Sequence, residues 1–80
     1  MHIASVLLQA RPEQLGAVCS RLRELNGIEI HTTSPQGQLV VTVAGEGRRA
    51  VADSLTALHT LEGVLSACLV YEESDTVEAP

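Results

Sequence analysis

Two segments of this 80-residue chain place apolar residues at steps of three and four, and each lies between segments whose apolar residues alternate. Leu15, Val18, Cys19, Leu22 and Leu25 form the first stripe; Val51, Leu55 and Leu58, with Ala52 alongside, form the second. A helix with such a stripe must bury it, and alternating strands on either side supply a sheet to receive it. Pro12 suits the first turn of the first helix, where its missing N–H costs nothing, and Glu13 beside it faces the positive end of the helix dipole. Arg21 and Arg23 occupy the later turns, and Asn26-Gly27 supplies the stop. The spacing predicts helices over 12–26 and 48–61. Arg48 and Arg49 open the second helix at the end its dipole disfavours, at a cost of ~0.3–1 kcal/mol each when exposed.

Four strands fit around these helices. Ala4, Val6 and Leu8 alternate with Ile3, Ser5, Leu7 and Gln9, apolar on both sides, as an inner strand requires. Ile28, Ile30 and Thr32 alternate with Glu29, His31 and Thr33. Ser34-Pro35-Gln36-Gly37 is a turn, followed by Leu39, Val41 and Val43 against Gln38, Val40 and Thr42. After Gly63, Leu65, Ala67, Leu69 and Tyr71 are expected on one side, with Val64, Ser66, Cys68 and Val70 on the other. The order β-α-β-β-α-β in one short domain is the ferredoxin-like split βαβ arrangement, an α/β (α+β) fold. It implies a four-stranded antiparallel sheet in order 4-1-3-2 with both helices on one face. Residues 1–73 make the domain, and 74–80 read as an acidic flexible tail.

That architecture leaves one sheet face without helical cover, and such a face is polar when it only meets water. Here the open side is expected to carry Ile3, Leu7, Val40, Val64, Cys68 and Val70 among Ser5, Gln9, Thr42 and Ser66. Either these aliphatics are tolerated strand residues, or they form a contact surface for a helix, a peptide or another subunit; contiguous exposed apolar area favours contact.

Composition removes several other functions. Five basic against ten acidic residues give a formal net charge of −5, which excludes nucleic acid as the main partner and favours a basic peptide. Phe and Trp are absent and Tyr71 is the one aromatic, so ring-stacked ligands and RNA-reading strands fall away. His2, His31 and His59 have no second ligand at metal spacing, and Cys19 and Cys68 form no CxxC pair. The cysteines, each inside an apolar pattern, are expected to be reduced core or sheet residues. Gly45-Glu46-Gly47 before Arg48-Arg49 lacks the Lys-Ser or Lys-Thr of a phosphate loop. No catalytic, cofactor or metal site is expected. The opening stretch from Met1 to Ala10 lacks the basic start of a secretory signal and the length of a membrane span, so a cytoplasmic protein without membrane insertion is expected.

Three segments carry a more specific likeness: Ala4-Ser5-Val6-Leu7-Leu8-Gln9-Ala10, Gly37-Gln38-Leu39-Val40-Val41-Thr42-Val43, and Leu61-Glu62-Gly63-Val64-Leu65-Ser66-Ala67-Cys68-Leu69-Val70-Tyr71-Glu72. Together, in this order and at this length, the chain resembles the NapD family, the cytoplasmic maturation chaperones of the periplasmic nitrate reductase. The resemblance implies a chaperone without a cofactor of its own. It would bind the twin-arginine signal peptide of the catalytic subunit precursor and delay export until the molybdenum cofactor is inserted. Gly47-Arg48-Arg49 departs from the family's more acidic, better capped helix start. On this reading the peptide meets Leu7, Gln9, Glu29, Val40, Thr42, Cys68 and Val70, with Glu29 as a carboxylate at the rim. The protein is expected to be a monomer or weak homodimer. A metabolite-sensing regulatory domain of the same topology, which dimerises, is the alternative.

Overall fold

The computed structural model describes residues 1–74. Strand β1 spans His2–Ala10, and Pro12–Gln14 then forms a single 3-10 turn that feeds helix α1, Leu15–Arg23. Strands β2 (Ile28–Thr33) and β3 (Gln38–Gly45) form the hairpin, helix α2 takes Arg48–Thr60, and β4 takes Val64–Ser74. The sheet order is β2-β3-β1-β4 with every pairing antiparallel, the order expected from the sequence. Residues 75–80, most of the segment read as an acidic tail, lie outside the described residues; Ser74 ends β4.

One face of the central strands forms the core floor. Val6 pairs with Val41, Leu8 with Leu39 and Ala4 with Val43. These six side chains are buried together with Val18, Cys19 and Leu22 of α1 and Val51 and Leu58 of α2, so both helices lie on the same side of the sheet. Leu55, centred in the α2 stripe, is only half-buried, and Ala52 is exposed rather than packed alongside.

α1 ends earlier than its apolar spacing suggests because Gly27 must meet β3. Its φ is 80°, its carbonyl accepts a 2.7 Å hydrogen bond from the Ala44 N–H, and a Cβ there would stand 2.5 Å from the Ala44 oxygen. A helix running to Asn26 would carry the chain past that docking point. The 34–37 turn is held from β1: the Gly37 carbonyl accepts from the Ala10 N–H at 2.7 Å, and the Gln9 amide Nε2 donates to the Gln36 carbonyl at 3.0 Å.

The start of α2 matches its sequence. Gly47 is the N-cap in extended backbone and offers no capping side chain, no acid stands in the first turn, and Arg48 and Arg49 are exposed. Nothing lies within 4 Å of a Cβ built at Gly47, so a side chain fits there. Gly47→Asp is therefore expected to stabilise the domain by about 0.5–1 kcal/mol, adding an acceptor for the free N–H groups and a negative charge at the helix start. Urea denaturation measures it; an unchanged midpoint would show that the cap does not form.

Candidate peptide-binding face

Cross-strand pairing orders the open side of the sheet into rows. The middle row runs Thr32, Val40, Leu7 and Cys68 across all four strands. Leu7 is 39% and Val40 37% exposed, although both lie on the inner strands, because no helix covers this side. The next row runs Glu29, Thr42, Ser5 and Tyr71, and beyond it Ala44, Ile3 and Glu73. On the other side of the apolar row come Gln38, Gln9 and Ser66. The face is thus an aliphatic band with polar rows on either side.

The residues expected to contact a peptide fall into three groups. Leu7, Val40 and Cys68 stand together in one row, with Thr42 and Glu29 adjacent in the next. His31 Nε2 and Thr42 Oγ1 share a 2.9 Å hydrogen bond, which holds the polar row against β2, while Glu29 is exposed. Gln9 lies at the far end, and its amide is committed to the Ala10 and Gln36 carbonyls, each at 3.0 Å. Val70 is the extra residue of a bulge, exposed but outside the paired rows.

Irregularities in the edge strands overturn several facing assignments. In β4 the pairing steps from Val6–Leu69 to Ser5–Tyr71, skipping Val70, and from Gln9–Ser66 to Ala10–Val64, skipping Leu65. Each extra residue reverses the alternation beyond it. Tyr71, expected beneath the helices, therefore stands on the open face opposite Ser5 and is 57% exposed. Val64, expected on the open face, instead packs against the core. Leu65 and Leu69, both expected in the core, are exposed: Leu65 is a bulge residue, and Leu69 faces the helix side on an edge strand. In β2 the skip at His31 breaks the alternation that grouped Thr32 with Ile28 and Ile30, and Thr32 stands on the open face, opposite Val40.

The same β4 bulge explains the other carboxylates. Glu72 pairs with Ala4 on the helix side, where its Oε2 lies 2.7 Å from Nε2 of the buried His2. Glu73 pairs with Ile3 and so belongs to the open face. Uninterrupted alternation puts Tyr71 on the wrong side, Glu73 lies beyond Tyr71 where the apolar alternation stops, and no glycine or proline marks the bulge.

The cysteines lie on opposite sides of the sheet, Cys19 buried in the core and Cys68 exposed on the open face, both free. Among the described residues, no three His, Cys, Asp or Glu side chains converge on a possible ion site, and no helix is long and apolar enough to cross a membrane.

Fold and face together define a ferredoxin-like α+β domain whose exposed sheet surface combines an apolar band with flanking polar rows. The family model described as NapD protein matches residues 1–76, and the chain belongs to the NapD family. The protein named Chaperone NapD from Escherichia coli (strain K12) is 28% identical over 75 residues, covering 92% of this chain and 86% of that relative. The Paracoccus pantotrophus protein of the same name is 31% identical over 74 residues, covering 91% of this chain and 64% of the relative. Among solved structures, the solution structure of the E. coli Tat proofreading chaperone protein NapD has a TM-score of 0.82 at 28% identity, covering 98% of this chain and 85% of that one.

Proposed function

We propose that this protein is a cytoplasmic, non-enzymatic chaperone that binds the twin-arginine signal peptide of the periplasmic nitrate reductase catalytic subunit precursor. By occupying that peptide it delays export until the molybdenum cofactor has been inserted. The observation that carries this reading is the uncovered row of Val40, Leu7 and Cys68 across the sheet. Such a surface gains most from an apolar, helix-prone segment that has no folded partner of its own, and the hydrophobic stretch of a signal peptide is one. Relatives named as chaperones, and a similar structure titled a Tat proofreading chaperone, support the same class.

Retention needs no covalent chemistry. While the peptide lies on the sheet it is unavailable to the export machinery, and the bound fraction depends only on affinity and concentration. Apolar contact supplies most of that affinity. Charges at the rim are screened at physiological salt and chiefly set orientation and rate.

Calorimetric titration with the synthetic signal peptide tests the proposal. Saturable binding is expected, with a negative heat-capacity change as apolar surface is buried. Absence of binding, together with saturable binding of a free amino acid, would instead support the metabolite-sensing alternative.

A further inference from the structure

The four strands contain no Lys or Arg; all five basic residues, Arg11, Arg21, Arg23, Arg48 and Arg49, lie in the helices or in the turn after β1. Among the described residues the open face nevertheless carries two carboxylates, Glu29 on one edge strand and Glu73 on the other, and both belong to the same end of the sheet. Between them lie Thr42, Ser5 and Tyr71, the one aromatic ring in the protein. The aliphatic row Val40–Leu7–Cys68 lies further along. Leu7 and Ile3 are four residue steps apart along β1, so the row of Glu73 is about 13 Å from that of Cys68. The surface is therefore polarised in charge: both carboxylates and the tyrosine at one end, with Ala44 and Ile3 in the Glu73 row, the Val40–Leu7–Cys68 row in the middle, and the Gln38, Gln9 and Ser66 row, which carries no formal charge, at the other.

Resting on the proposed function, we infer that this polarity sets the direction in which the signal peptide lies. Its arginine pair occupies the end formed by Glu29, Tyr71 and Glu73, and its apolar segment crosses the Val40–Leu7–Cys68 row. A guanidinium group suits that end on two counts. It hydrogen-bonds carboxylates through a planar fork and stacks on an aromatic face, and the four strands place no Lys or Arg side chain beside it. The bulge at Val70 makes the site, because uninterrupted alternation would turn Tyr71 and Glu73 towards the helices. Tyr71 and Glu73 are thereby specificity residues for the basic part of the ligand.

Cys68 provides a direct readout, since the other cysteine is buried. Signal peptides carrying one pyridyl-disulfide-activated cysteine, either beside the arginine pair or within the apolar segment, are incubated with the intact protein. Thiol exchange at Cys68, releasing thiopyridone, is expected to be fast for the apolar-segment probe and slow for the arginine-side probe; Cys68→Ser abolishes both. In parallel, Glu29→Gln, Glu73→Gln and Tyr71→Leu are titrated with the native peptide and with a peptide whose arginines are replaced by glutamine. Each variant is expected to weaken native binding roughly two- to fivefold at low salt and to leave the glutamine peptide unaffected. Faster exchange with the arginine-side probe, or equal losses for both peptides, would overturn the orientation. If both of those occur while Leu7→Asp still abolishes binding, the orientation fails and the proposed function stands. Full affinity in folded Leu7→Asp overturns the binding face itself.

Discussion

Replacing Leu22 with alanine is expected to remove about 2–5 kcal/mol of folding stability, the usual range for a buried leucine that leaves a cavity. Leu22 is fully buried between α1 and the sheet, and no polar neighbour shares its stripe in the core. At about 0.05–0.15 kcal/mol per residue, the whole domain has only about 4–12 kcal/mol. The variant therefore sits near the edge of folding at ambient temperature. Leu58→Ala should behave alike, since Leu58 is equally buried on α2. Leu55→Ala should cost less, about 1–2 kcal/mol, because Leu55 is only half-buried. The apolar spacing gives Leu22 and Leu55 equal weight; the packing does not. Chemical denaturation of the three variants checks the ranking, and a loss below about 1 kcal/mol for Leu22→Ala would show that α1 does not supply a cornerstone of the core.

Leu7→Asp is expected to abolish signal-peptide binding while the protein stays folded. Leu7 lies on the central strand but points away from the helices, and its exposure already leaves the side chain partly in water. The fold loses some in-plane contact and strand propensity, about 1 kcal/mol. Binding loses far more, because covering the aspartate with an apolar segment strips its hydration without supplying a partner. An affinity loss of at least about a hundredfold follows, equivalent to about 3 kcal/mol. Val40→Asp, next to Leu7 on β3, should have the same effect. Circular dichroism verifies folding and fluorescence titration with labelled peptide measures binding. Wild-type affinity in both folded variants would show that the peptide docks elsewhere, at an edge strand or against the helices.

Most of the architecture is legible in the sequence because its two periodicities are clean. Leu39, Val41 and Val43 alternate without interruption and all three are buried, and the α1 stripe supplies Val18, Cys19 and Leu22 to the same core. Glycine and proline mark the turns. The aliphatic row of the open face is legible for the same reason, since β1 and β3 pair from end to end without a skipped residue. What could not be read is the edge. Bulges at Leu65, Val70 and His31 fall among ordinary strand residues, with no glycine or proline at those positions to mark them in the sequence. The bulge at Val70 reverses the facing beyond it, so Tyr71 stands opposite to its expected side, and β4 continues past Tyr71, where the apolar alternation stops, to include Glu73. Leu69 shows a second limit: apolar spacing identifies a side of a strand, not whether a helix reaches far enough to cover it.

The two skips in β4 also bear on self-association. An outer strand of eleven residues with exposed Leu65, Leu69, Val70 and Tyr71 would, if flat, offer a second molecule a long hydrogen-bonding template. The bulges divide its pairing with β1 into two runs of four residues, Ser66–Leu69 and Tyr71–Ser74, and a bulge bends and twists the strand where it falls. Glu72 and Glu73 then place two charges near its end. A strand so interrupted is a poorer template for lateral stacking than a flat one of the same length.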